Sequence, residues 1–107
     1  MRLGRSDPFD DLVARQLSLF ADDEGDLLQE ASDAEDAWVR SGRDTAEEAY
    51  GDYQLVVDAI ADRLLDIREA YAATLSEVGA DAYRRAFAAG AKRRFRRYAS
   101  LVSDLEP

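Results

Sequence analysis

Residues 50–71 read YGDYQLVVDAIADRLLDIREAY, and within them Tyr50, Tyr53, Val57, Ile60, Leu64, Ile67 and Tyr71 recur at alternating steps of three and four. Such steps return to one face of a helix, and their alternation is that of a seam packed against a neighbouring helix. Leu75 and Val78 prolong the line and Gly79 offers a stop, so the spacing predicts one uninterrupted helix over about 45–78.

Upstream, Val13, Leu17, Phe20, Leu27, Ala31, Ala34 and Trp38 also keep to one helical face, which predicts a first helix over about 8–41. Asp7-Pro8 places a capping carboxylate and a Pro at its start. Glu24 interrupts the stripe, and Asp22-Asp23-Glu24-Gly25-Asp26 joins like-charge repulsion to a flexible Gly. The helix therefore either runs through or breaks near Gly25. Ser41-Gly42-Arg43-Asp44 forms the turn, with Gly42 suited to a left-handed cap and Asp44 with Glu47 to a capping box.

Two helices of nearly equal length joined at Gly42 make an antiparallel hairpin, setting Trp38 and Ala34 near Tyr50, and Phe20 near Leu64 and Ile67. A third helix runs from about Asp81 to Asp104 along Tyr83, Phe87, Ala91, Phe95, Tyr98, Leu101, Val102 and Leu105. At about 1.5 Å per residue it covers only about half to two thirds of the hairpin, leaving the Trp38, Tyr50 and Tyr53 end beyond its reach. The expected fold is all-α: a single domain, an elongated antiparallel helical hairpin with a third helix closing a three-helix bundle.

The chain has 107 residues and neither Cys nor His. That removes the usual nucleophiles, neutral-pH bases and transition-metal ligands, and with them triad, zinc-finger and di-iron chemistry. Asp58, Asp62, Asp66 and Glu69 follow at helical spacing but lie off the apolar stripe among Arg63 and Arg68, which describes a solvated face. No enzyme, cofactor or metal is expected. No apolar run of membrane-spanning length occurs, and the basic start Met1–Arg5 leads into no signal-peptide core, so the expectation is a cytoplasmic protein without a membrane partner. Thirteen Arg against one Lys, with abundant Ala and Asp, is the compositional style of a GC-rich bacterial genome.

The net charge of −9 is unevenly spread: residues 1–80 hold 7 Arg against 20 Asp and Glu, and residues 81–107 hold 7 Arg and Lys against 3. Arg85, Lys92, Arg93, Arg96 and Arg97 fall on the solvent side of the third helix, as a surface for nucleic acid or an acidic partner. Arg84 and Arg94 border its apolar line, where they can reach hairpin carboxylates instead. Trp38, Tyr50 and Tyr53 at the hairpin tip suit either local packing or a self-contact in a homodimer.

Gln16-Leu17-Ser18-Leu19-Phe20 resembles the linear motif, Gln-Leu-Ser/Asp-Leu-Phe, by which bacterial polymerases and mismatch-repair proteins dock on the DNA sliding clamp. The resemblance implies that Gln16 fills a polar subsite while Leu19 and Phe20 enter an apolar pocket. Helical periodicity assigns Leu17 and Phe20 to the core and leaves Leu19 off the stripe. The leading expectation is a non-enzymatic helical protein–protein interaction module of unknown partner. The alternative is a replication or repair accessory that binds the clamp through residues 16–20, with the basic third helix near nucleic acid.

Overall fold

The computed structural model describes residues 8–98 and Leu105. It is helical, as the spacing predicts, but holds four α-helices among these residues: α1 (Asp10–Asp23), α2 (Gly25–Arg40), α3 (Ala46–Ala72) and α4 (Glu77–Arg94). The first expected helix breaks at Glu24, whose dihedrals, φ −110° and ψ 34°, leave the helical basin. Its N–H still donates to Phe20 O at 2.8 Å and its carbonyl accepts from Leu28 N at 3.0 Å, so the chain bends without a loop. Asp10 and Asp11 occupy the first turn of α1, where negative charge meets the positive end of the helix dipole. Pro8 precedes the Phe9 cap rather than opening the helix, and Asp7 lies outside the described residues.

The turn at Gly42 is real but its chemistry differs from the expectation. Ser41, in extended backbone, donates through Oγ to Trp38 O at 2.6 Å and through its N–H to the same oxygen at 3.1 Å, satisfying a terminal carbonyl of α2. No described Gly has positive φ, and Thr45, not Asp44, is the N-cap of α3, with no side-chain capping bond. Thr45 N–H instead donates to Gly42 O at 3.1 Å, closing a turn.

α3 ends at Ala72, before the expected stop at Gly79. Thr74 donates through Oγ1 to Tyr71 O at 2.7 Å, and Ser76, in extended backbone, accepts from Gly79 N at 3.1 Å as the N-cap of α4. Leu75 and Ala80 take the N′ and N4 positions of a hydrophobic staple, and both join the core. Val78, expected on the α3 stripe, begins α4 and is exposed. α4 stops at Arg94, short of the expected Asp104; Leu101, Val102 and Asp104 lie outside the described residues.

These changes shorten the hairpin to α2 and α3 and pair α1 with α4. α2 packs along α3, while α1, turned at Glu24, runs against α4, which also contacts α3. The core is Val13, Leu17 and Phe20 of α1, Ala31 of α2, Tyr53, Val57, Ile60 and Leu64 of α3, and Tyr83, Phe87 and Ala91 of α4, closed by Phe95, Tyr98 and Leu105. Tyr83 and Phe87 are fully buried, and Tyr83 meets Phe9 edge-on at 5.6 Å.

Gly90 lets α1 and α4 approach. A Cβ there would stand 2.7 Å from Val13 Cγ1 and 3.3 Å from Leu17 Cδ1, whereas one at Gly51, also inside a helix, would meet nothing within 4 Å. Gly51 and Gly90 should therefore answer Ala in opposite directions. Gly51→Ala should stabilise by about 0.5–1 kcal/mol through helix propensity, and Gly90→Ala should destabilise by about 1–2 kcal/mol because overpacking exceeds that gain. Urea unfolding of both variants measures the difference, and equal signs would mean that α1 and α4 do not meet at Gly90.

Candidate interaction surfaces

The tip aromatics come together as the hairpin register requires. Trp38 lies edge-on to Tyr50 at 4.8 Å and stacks on Tyr53 at 5.5 Å. The expectation that they lie beyond the last helix is corrected, because the turn after α4 carries Tyr98 onto Tyr53, with ring centroids 6.3 Å apart. Tyr53 and Tyr98 are buried, which pushes both phenols above their ordinary pKa, and Tyr50 keeps its exposed edge by donating to Gln54 Oε1 at 3.2 Å. Arg97 pairs with Glu35 of α2 and lies 5.4 Å from the Tyr98 ring centroid. Arg97 is exposed, as the periodicity predicts, but it is paired at this end of the molecule and so is not open to an outside partner as Arg85, Lys92, Arg93 and Arg96 are.

The Gln16–Phe20 string is helical within α1. Leu17 and Phe20 are each 3% exposed, and Phe20 packs edge-on to Phe95 at 5.9 Å. Gln16 Oε1 accepts from the Tyr83 hydroxyl at 2.7 Å, and Ser18 Oγ accepts from Arg94 Nη1 at 3.4 Å. Arg94 thus reaches a hydroxyl rather than the expected carboxylate. Leu19 is the string's one large apolar side chain free of the core, 55% exposed on the rim of a shallow groove of ≈ 340 Å³ that Phe20 and Ile67 share. The acidic junction beside it is held by Arg63, whose Nη1 donates to Glu24 Oε2 at 2.6 Å.

On α4, Arg85, Lys92 and Arg93 are exposed, as is Arg96 just beyond it, and none of the four makes an ion pair among the described residues. Arg84 pairs inward as expected: its Nε and Nη2 donate to Glu69 at 3.0 and 2.9 Å. With Arg68 also donating at 2.7 Å, the Glu69 carboxyl is lowered from the ordinary 4.5 to about 2. Asp58, Asp62 and Asp66 stay exposed, and no group of three or more acidic side chains among the described residues is arranged to hold a metal ion.

One surface escaped the sequence reading. Ala34 and Ala37 of α2 and Ala49 and Val56 of α3 floor an open groove of ≈ 500 Å³, edged by Glu30, Asp33, Asp52 and Leu55. Leu55 is 69% exposed. At 100° per residue, the α3 members sit about 50–170° round the helix from the centre of the buried line of Tyr53, Val57, Ile60 and Leu64, Ala49 nearest it and Leu55 farthest. Ala34 and Val56 pack against the margin of the core, and from them the groove opens outward to the exposed Ala37, Asp52 and Leu55. Alanines read as helix formers in any environment and Leu55 falls off the seam, so only the pairing of the two helices makes the groove visible.

Among the described residues no helix is long and apolar enough to cross a membrane. Comparison with family models, with curated proteins and with solved structures finds no match to the chain.

The Glu69 cluster yields a pH dependence of definite sign. A carboxyl whose folded pKa lies below its unfolded value contributes stability above the unfolded pKa and loses it as pH falls through the folded one. The stability lost on Glu69→Gln should thus be full above about pH 5 and should shrink toward zero between the ordinary 4.5 and about 2. Thermal melts of both proteins across that range test it, and a difference independent of pH would show that Glu69 acts without its charge.

Proposed function

We propose that this chain is a non-enzymatic protein–protein interaction module whose docking surface is the outer groove of α2 and α3. The observation that carries the reading is the groove itself: an alanine and valine floor with Leu55 on its lip at 69% exposure and three carboxylates on its rim. An apolar strip framed by one sign of charge favours a partner helix with small or apolar residues on one face and cationic residues beside them. The remaining chemistry agrees. Without Cys or His, catalysis would fall to carboxylates, and Asp58, Asp62 and Asp66 face solvent while Glu69 is committed to two arginines.

A second reading, docking on a bacterial sliding clamp through Gln16–Phe20, is favoured by Leu19, a large apolar side chain that the core does not use. It requires Leu17 and Phe20 to leave the core.

Photoreactive residues separate the two. Placed at position 55 in the native host, the probe should capture a segment rich in Arg and Lys, and the complex should weaken at least about tenfold when Asp33 and Asp52 are changed to Arg. Capture of a sliding clamp from position 19, with nothing from position 55, would reverse the order of the two readings.

A further inference from the structure

The chain itself carries a face that complements the groove. On α4, Val78, Ala82, Arg85, Ala89, Lys92 and Arg93 fall within an arc of about 100° at helical periodicity. Arg85, Ala89, Lys92 and Arg93 are exposed, Ala82 is partly exposed and Val78 is 79% exposed, so the arc is turned away from the core formed by Tyr83, Phe87 and Ala91. This face carries small or apolar residues between cations that make no ion pair among the described residues, which is the complement of the α2–α3 groove: alanines between carboxylates.

The dimensions agree as well. Glu30 to Ala37 on α2 and Ala49 to Val56 on α3 each span seven steps, about 10 Å at 1.5 Å per residue. Arg85 to Lys92 spans the same seven steps, with Ala89 between them at the height of the groove floor. A small residue there would let a helix settle onto Ala34, Ala37 and Val56, with Arg85 and Lys92 beside the carboxylates of Glu30, Asp33 and Asp52. Asp33 already accepts a bond from Gln29 at 3.0 Å, leaving its second oxygen to an incoming cation.

We infer that the chain self-assembles head to tail, the basic outer face of α4 in one copy occupying the acidic α2–α3 groove of the next. The inference rests on the groove being a docking surface. Because the two faces differ, repeating the contact from copy to copy builds a ring or an open chain. It is distinct from a dimer seam at Trp38, Tyr50 and Tyr53, which uses neither face. The net charge of −9 opposes association at long range, but at about 0.15 M salt that field is screened beyond about 8 Å while charges in contact still attract.

Charge reversal tests it on the full chain. Sedimentation velocity at about 0.15 M salt should show association that grows with concentration, toward about 1 mM, the range of a weak heterologous contact. Reversing the groove (Glu30→Arg, Asp33→Arg, Asp52→Arg) and reversing the helix (Arg85→Glu, Lys92→Glu, Arg93→Glu) should each give a monomer with unchanged circular dichroism. Mixing the two monomers should restore association, since each then offers the other a complementary face. A control that reverses Asp22, Glu47 and Glu48 should leave wild-type association intact. A wild-type monomer throughout, association that survives either reversal, a silent mixture or an effect of the control each overturns the inference. Cross-links from position 55 to another protein's cationic helix, with a monomeric chain, would overturn self-assembly and leave the docking surface standing; no capture at 55 would remove both.

Discussion

At Glu24 the chain departs from helical dihedrals for one residue, and most of the tertiary arrangement depends on where α1 points afterwards. Had α1 continued the line of α2, Val13, Leu17 and Phe20 would extend the hairpin seam along α3. Bent at Glu24, Val13 and Leu17 meet α4 instead, close enough that only Gly fits at position 90, while Phe20 stays beside Ile67 of α3. The Arg63–Glu24 pair fixes the bend to α3 at 2.6 Å. With side chains 52% and 28% exposed, it contributes at most about 1 kcal/mol, so it sets the bend's position while the burial of Leu17 and Phe20 supplies the drive.

Two further pairs work in the same way at the other junctions. Arg84 of α4 reaches Glu69 near the end of α3, and Arg97 beyond α4 reaches Glu35 of α2. The first joins consecutive helices and the second elements 62 residues apart, both through partly exposed side chains, and each consumes one cation of the basic C-terminal region on one carboxylate of the acidic hairpin. The cations left over lie together on the outside of α4, and Glu30, Asp33 and Asp52 lie together on the outside of α2 and α3. Uneven charge along the sequence has thus become two faces of opposite sign, the inner part of each used for folding.

The sequence made the helices legible wherever an apolar residue had one meaning. Tyr53, Val57, Ile60 and Leu64 could only be a seam, and the pairing of Trp38 with Tyr50 followed from the turn at Gly42. The end of α3 was not legible because Leu75 and Val78 kept its rhythm while belonging to the next element, one as a staple and the other in solvent. Ser76 was the better signal, but a hydroxyl three residues before a Gly competes poorly with the Gly itself as a terminator. The Tyr98 contact was hidden for a different reason. It depends on the chain leaving α4 at Phe95, with φ −119° and ψ 39°, and helical periodicity has no term for a turn that keeps its aromatics buried.

Gln16–Phe20 shows how one string can answer two physical demands that exclude each other. The core takes Leu17 and Phe20, and the Tyr83 hydroxyl takes Gln16, leaving only Leu19 and Ser18 on the outside of α1. A pocket that seeks the Leu-Phe pair must extract Phe20 from its contact with Phe95, and removing a buried Phe costs about 3–5 kcal/mol. If the exposed form lies uphill by that amount, intrinsic affinity falls by roughly two to four powers of ten, because only that fraction of molecules is competent to bind. A ligand that docks on the α2–α3 groove meets no such cost, since Leu55, Ala37 and the rim carboxylates are already at the surface. The same burial that makes Phe20 valuable to the fold is what ranks the groove above the motif as the site of recognition.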